Sequence, residues 1–338
     1  MVTLGTIVSR LARGYKKTAI FAITTQCNCR CLMCDMWRQP QRRIGLEEAK
    51  EVLDWLSENK FLVAYFTGGE PMLHPDIAEI VRYANSLGLA TSLTTNGTKP
   101  EKIRELEGSL HTISVSYDHW DKGIWESIRR HDKIFEKAEE SIRIAKILRM
   151  RPYALTYMNP FLLEGNSIDR LVWYVNQVIG VPNGFCYPVT TDKTNYRLGG
   201  DLAEYPSKSR EAIKMLVEKL LRLQKMGYRI ANPHTYLEEI IRFHENKPPI
   251  FYCKGGEDVI YIDWEGNIYP CFQKEKLFNV LEEPYRTLER NVRCDDCLTN
   301  CFREPSILSQ MLSSRKSSLM ALAKEFFNYV ETARELMI

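Results

Sequence analysis

The stretch AIFAITTQCNCRCLMC, residues 19–34, sets a short β-rich run, Ala19–Thr24, just ahead of four closely spaced thiols. The run has the length and composition of a buried strand. Five more runs of that kind follow up to Pro188: LVAYFT, ATSLTT, TISVSY, YALTYM and GFCYP. Between them lie LEEAKEVLDWLSE, DIAEIVRYANSLG and FEKAEESIRIAKILR, whose apolar residues recur every three or four positions, together with SIDRLVWYVNQVIG. Gly88, directly after Leu87, supplies a helix stop. Six βα units joined in this way run parallel with right-handed crossovers, which gives a doubly wound sheet or a complete or partial barrel. Functional groups should then gather at the C-terminal ends of the strands.

The chain has 338 residues, enough for one large α/β domain and a smaller one, or for two halves. Hydrophobic residues at 44% against charged ones at 26% are enough to bury a core, so wholesale disorder is excluded. Lys and Arg total 46, Asp and Glu 43, and the balance of +3 lacks the basic footprint that nucleic acid selects. No nucleic-acid partner is expected. The longest apolar runs fall short of the ~20 residues of a membrane span, and no signal peptide precedes the first motif, so a cytoplasmic location is expected. The ten cysteines read as two tight groups with metal-ligand spacing, as suits a reducing compartment.

Within the first group Cys27, Cys31 and Cys34 give C-x3-C-x2-C on one loop. Three thiolates so placed can hold a four-iron cluster and leave one iron open to a ligand, whereas structural zinc takes four. Cys29 reads as a spare thiol. The loop resembles that of the radical SAM enzymes, and so does Thr67-Gly68-Gly69-Glu70-Pro71 at the end of the second strand, which matches their GGEP motif. The resemblance continues through Asn96 in TTNGT, Ser116 and Asp118 in SVSYD, and Ile128-Arg129, where Arg130 stands in place of the family's usual glycine. It implies a partial (β/α)6 TIM-like barrel with a [4Fe-4S] cluster on Cys27, Cys31 and Cys34. It also implies a site for S-adenosylmethionine. Glu70, with Gly68, Gly69 and Pro71 in its turn, would meet the cofactor ammonium; the glycines would let the ligand approach the backbone. Ser116 would meet the ribose, Arg129 the carboxylate and Met33 the adenine, while Asn96 and Asp118 line the cavity.

The second group reads Cys253-x12-Gly266-x4-Cys271 across a hairpin expected over Asp258–Cys271 and turning at Glu265-Gly266-Asn267, followed by Cys294, Cys297 and Cys301. It resembles the SPASM and twitch extensions of radical SAM barrels. Five cysteines suffice for one auxiliary [4Fe-4S] cluster, on Cys253, Cys271 and two of Cys294, Cys297 and Cys301; a zinc ribbon is the structural alternative. The division expected is a basic amphipathic leader over 1–18, the radical SAM core over 19–205 and a helical connection over 206–250. A small twitch-like iron-sulfur module over 251–304 and a helical tail over 305–338 complete it. The polar stretch TTDKTNYRLGGDLAEYPSKS reads as a domain boundary or a substrate loop.

By resemblance the protein is a radical SAM oxidoreductase or tailoring enzyme. It would reductively cleave S-adenosylmethionine and use the 5′-deoxyadenosyl radical to take hydrogen from a small molecule, peptide or lipid, for net oxidation or bond formation. A flavodoxin- or ferredoxin-type reductant would supply the electron. Leu4, Ile7, Val8, Leu11 and Tyr15, with Arg10, Arg13, Lys16 and Lys17 nearby, either cap the barrel or give the leader a peripheral membrane contact. The rival class is a non-catalytic iron-sulfur electron carrier or a zinc-stabilised binding protein.

Overall fold

In the computed structural model, which describes residues 4–191, 195–288 and 294–313, the six expected strands form in order. They are β1 (Lys17–Ala22), β2 (Phe61–Thr67), β3 (Ala90–Thr95), β4 (Thr112–Ser116), β5 (Pro152–Tyr157) and β6 (Asn183–Cys186), all parallel to their neighbours. The helices are α1 (Leu4–Ala12), α2 (Leu46–Glu58), α3 (Ile77–Ser86), α4 (Lys122–Arg129), α5 (Ile134–Ile147), α6 (Ser167–Trp173), α7 (Tyr205–Lys208), α8 (Arg210–Lys225), α9 (His234–His244) and α10 (Asn300–Ser313). Local signals set their ends. The Glu48 carboxylate accepts from the Gly45 backbone N–H at 2.9 Å at the start of α2, Asp121 caps α4 by accepting from Ile124 N, and Gly88 follows α3 with φ +78°.

Strand alternation sorts the side chains between two faces. Ala19, Phe21, Ala64, Phe66, Ile113 and Val115 pack outward in the main core with α2, α3 and α5. Ile20, Tyr65, Thr94, Ser116, Leu155 and Cys186 face the concave side. The sheet stays open: its order is β6-β5-β4-β3-β2-β1-β7-β8-β9.

The hairpin expected around Gly266 forms as β7 (Val259–Ile262) and β8 (Asn267–Tyr269), with Gly266 at φ +76°, and β9 (Phe278–Asn279) follows. Its place was not visible in the sequence. β7 pairs in parallel with β1, from Thr18↔Val259 to Phe21↔Ile262, so the hairpin continues the barrel sheet. A second core covers the concave side of this junction, with Ile20, Ala22, Val259, Tyr261, Trp264, Phe272 and Phe302. The helix after the hairpin starts at Asn300, earlier than the expected tail. The rest of that tail, 314–338, lies outside the described residues, as do the side chains of Leu4 and Val8.

The leader is used internally. Arg10 is buried, donates to Leu87 O and lies 4.7 Å over the Tyr15 ring. Lys16 pairs with Asp258 at 3.3 Å, while Arg13 stays exposed. No helix among the described residues is long and apolar enough to cross a membrane.

Candidate active site between two cysteine groups

The cysteine loop leaves the C-terminal end of β1 and is strapped down on three sides. The β2 turn binds it through Gly69 N to Thr24 O at 2.8 Å and Glu70 N to Gln26 O at 2.7 Å. The end of α4 accepts from it at Arg129 O and Ile128 O. Residues 197–202 cross it, with Gly199 N donating to Met33 O and Leu202 N to Leu32 O. Residues 197–202 of the polar stretch thus cover the cysteine loop. The two glycines of the β2 turn serve the same packing: a Cβ on Gly68 would lie 2.2 Å from Thr24 O, and one on Gly69 2.3 Å from Gln26 O. Their smallness admits the neighbouring backbone, not only a ligand as expected.

A cavity of about 220 Å³ opens between this loop and the N-terminal end of α10. Cys27, Cys31, Cys34, Met33, Gly68, Gly69, Glu70, Asn96, Ser116 and Arg129 all line it, so ten residues expected on cofactor grounds meet on one wall. Two do not line it. Asp118 is fully buried behind Arg129, where its carboxylate accepts from Arg129 Nε and from Tyr157 N. Pro71 is buried at the start of the 3-10 turn Pro71–Leu73.

Arg129 points one N–H at Cys31 Sγ, 3.7 Å away. Although burial works against its charge, Asp118 and Cys31 hold its pKa well above the ordinary value. Arg130 turns away to Asp201 on the surface. It closes α4 at φ +49°, the left-handed conformation for which glycine is the unstrained residue.

Glu70 is nearly inaccessible. Its Oε1 accepts from Met72 N at 2.9 Å and Thr95 Oγ1 at 2.7 Å, and its Oε2 from Asn96 N at 2.6 Å. Burial raises its pKa, and the donors from Asn96, Met72 and Thr95 oppose the rise. The carboxylate therefore ties the β2 and β3 turns together and keeps little acceptor capacity for a ligand. Asn96 is similarly committed, donating to Asn28 Oδ1 at 2.9 Å and Cys29 Sγ at 3.3 Å.

Cys29 is buried, and its contacts with the Cys27 and Cys31 thiols raise its pKa. The same contact with Cys29 brings Cys31 down to about 7, against its burial. Cys34 is pushed up by burial. The donor set fits a cluster held by three thiolates: three free thiols on one cavity wall, with a cation beside one of them.

The second group assembles from three segments. Cys253 N donates to Cys294 O at 2.8 Å, which aligns the two as an antiparallel bridge. Gly255 lets the Cys253 loop close on Pro270: a Cβ there would lie 2.8 Å from Pro270 O and 3.5 Å from Cys253 Sγ. Cys271 is pushed up to about 12 by burial and by the neighbouring Cys297, Cys253 and Cys294 thiols. Cys253, Cys271, Cys294 and Cys297 thus form one neighbourhood. Cys301 does not share it equally, for it lines the cavity. Among the described residues no three His, Cys, Asp or Glu close on a single point as ligands of one ion would.

Cys186 belongs to neither group. It stands at the C-terminal end of β6 and lines the cavity with Cys301. The signal that could have found it is positional, since strand ends gather functional groups. Burial and Glu304 push its thiol up to about 12. Glu304 itself, on α10, is pushed up to about 8 by burial and accepts from Asn232 at 2.6 Å.

Residues 21–177 match the Radical SAM superfamily model. The AdoMet-dependent heme synthase of Methanosarcina barkeri is 24% identical over 283 residues, 80% of this chain and 80% of that protein. Streptococcus suis SuiB bound to S-adenosylmethionine superposes with a TM-score of 0.59 at 14% identity, covering 93% of this chain and 79% of that one. The structure of anSMEcpe with AdoMet and the Kp18Cys peptide superposes with a TM-score of 0.57 at 14% identity, covering 94% and 98%.

Proposed function

We propose that this chain, whose residues 21–177 form a radical SAM domain, reductively cleaves S-adenosylmethionine and takes hydrogen from a substrate held between the barrel and α10. The observation that carries the reading is the convergence of Cys27, Cys31, Cys34 and Arg129 on one cavity bordered by the start of α10. Cys27, Cys31 and Cys34 would hold a [4Fe-4S] cluster and leave one iron free for the cofactor. When bound, that cluster supplies the electron that splits the cofactor into methionine and the hydrogen-abstracting 5′-deoxyadenosyl group.

The chain's own residues bind and orient. Arg129, fixed by Asp118, presents N–H groups for the methionine carboxylate. Ser116, at the end of β4, faces the same cavity for the ribose hydroxyls, and Met33 offers an apolar contact to the adenine. Glu70 acts through the turn it holds, and the ammonium would be met by the second lone pairs of strand-end carbonyls, Thr67 O already accepting from Ile23 N at 3.1 Å and Gly68 O from Tyr196 Oη at 3.2 Å. The cover over residues 31–34 and the packing of α10 limit water.

Cys253, Cys271, Cys294 and Cys297 fit a second, auxiliary [4Fe-4S] cluster, with Cys301 left to the cavity. An auxiliary cluster suits net oxidation or bond formation, in the modification of a natural product, peptide or lipid, with a flavodoxin- or ferredoxin-type protein as reductant. The test is anaerobic purification with iron and zinc analysis, then measurement of 5′-deoxyadenosine. Iron for two clusters and dithionite-dependent 5′-deoxyadenosine are expected. Bound zinc with no cleavage would instead establish the zinc-stabilised binding protein.

A further inference from the structure

The cavity wall divides by charge. Among the described lining residues only Glu70 and Arg129 are charged, and both lie at the cysteine-loop end with their charges already engaged, by three donors and by Asp118 respectively. Most of the remaining wall is aromatic and aliphatic, with Thr94, Ser116, Asn300 and the Cys186 and Cys301 thiols among its neutral polar members. Tyr65, Tyr157, Tyr187, Tyr196 and Phe272 face the space, with Leu155, Val189 and Leu198 between them. Tyr196 and Phe272 stack at 4.2 Å with an 8° interplanar angle, a flat surface joining the cover segment to the hairpin module. Among the cavity-lining side chains, Tyr157 carries a buried Oη without a hydrogen-bond partner.

Phosphates and carboxylates in dry sites are met by Arg, Lys or clustered N–H groups, because a buried unpaired charge is too costly. A neutral body on an apolar wall needs none of these, and a buried hydroxyl without a partner costs stability until a ligand pairs with it. Resting on the radical SAM reading of this site, we propose that the substrate group entering the cavity is uncharged and predominantly apolar, with one neutral hydrogen-bonding group that pairs with Tyr157 Oη. Leu155 and Tyr157, two residues apart on β5, set that selectivity from the same face of the strand.

Two probes with the same ring system, differing by one sulfonate, test the claim without catalysis. The anaerobic full-length holoprotein, saturated with S-adenosylmethionine and given no reductant, is dialysed to equilibrium against N-phenyl-1-naphthylamine or 1-anilinonaphthalene-8-sulfonate. The neutral probe should bind at least tenfold more tightly. Leu155→Trp should fill the space and lower that binding at least tenfold, and Val189→Arg should shift the preference toward the sulfonate. Tyr157→Phe should weaken a competing neutral amide by threefold or more while leaving the hydrocarbon probe unchanged.

Competition by 1-decanol alone would identify an alkyl chain as the group, and competition by N-acetylphenylalaninamide alone a peptide side chain. Equal binding of the two naphthylamines, binding that survives Leu155→Trp, or displacement by neither competitor would overturn the proposal. Loss of 5′-deoxyadenosine formation with the probe preference intact would instead count against the reaction proposed above, so the two failures are separable.

Discussion

The two cysteine groups lie at opposite ends of one strand pair, and they are built differently. Cys27–Cys34 follow the C-terminal end of β1, while Cys253 precedes the N-terminal end of β7, which runs beside β1 in parallel. The strand between spans six residues, about 20 Å at the usual rise. The first group is one continuous loop, fixed by backbone hydrogen bonds from β2, α4 and residues 197–202. The second depends on distant segments meeting: the hairpin on β1, Cys294 on Cys253, and α10 on α9 through the buried Arg303–Glu239 pair. A local group is a property of its loop; a dispersed one is a property of the whole fold.

The sharpest way to break the comparison is to remove thiols. Cys27→Ala, Cys31→Ala or Cys34→Ala should abolish S-adenosylmethionine cleavage and lower iron by one cluster's worth, with Cys29→Ala mild, as iron analysis and 5′-deoxyadenosine assays would show. Cleavage undiminished in any of the three would end the active-site assignment. Cys271→Ala or Cys297→Ala should lower iron by the other cluster's worth yet retain uncoupled cleavage, while Cys301→Ala keeps full iron. Iron lost on Cys301→Ala would move the fourth ligand from the bridge segment into the cavity.

Smaller effects probe the supports. Arg129→Ala should weaken S-adenosylmethionine about ten- to hundredfold in an anaerobic titration, the cost of a charge-assisted bond, while Arg130→Ala binds normally because its side chain meets Asp201 outside the cavity. Glu304 gives the second region a pH signature. Its folded pKa of about 8 exceeds the usual glutamate value, so the unfolded chain releases the proton first and stability falls as pH rises through that window. The slope is at most about 1.4 kcal/mol per pH unit, and Glu304→Gln should flatten it in thermal melts taken between pH 5 and 8. Arg130→Gly should be the mildest change, stabilising by about 1 kcal/mol or less by relieving the left-handed residue, with the exposed Asp201 pair a small loss.

What the sequence made legible follows the same line. The six strands and the helix Leu46–Glu58 were readable because strand and helix periodicity act over a few residues. The first cysteine group was readable because spacing along one loop is spacing in space. The choice among Cys294, Cys297 and Cys301 was not, because it depends on a bridge to Cys253 about forty residues back. Cys186 carried no spacing signal at all. Asp118 was placed on the cavity wall, but as a buried carboxylate it needed a cation, and Arg129 stands between it and the space. The inward turn of Arg10 was hidden because a basic residue on an amphipathic helix reads the same whether it faces water or the carbonyl of Leu87.

The pairing of β1 with β7 also has a consequence during synthesis. Thr18 leaves the ribosome some 240 residues before Val259, its partner, an interval of about ten to fifty seconds at 5–20 residues per second. Throughout it the first strand presents a bare row of backbone donors and acceptors beside an apolar face, the kind of edge on which nascent chains pair wrongly. The strand that leads into the Cys27–Cys34 loop therefore gains its second neighbour only after the other five barrel strands have been made.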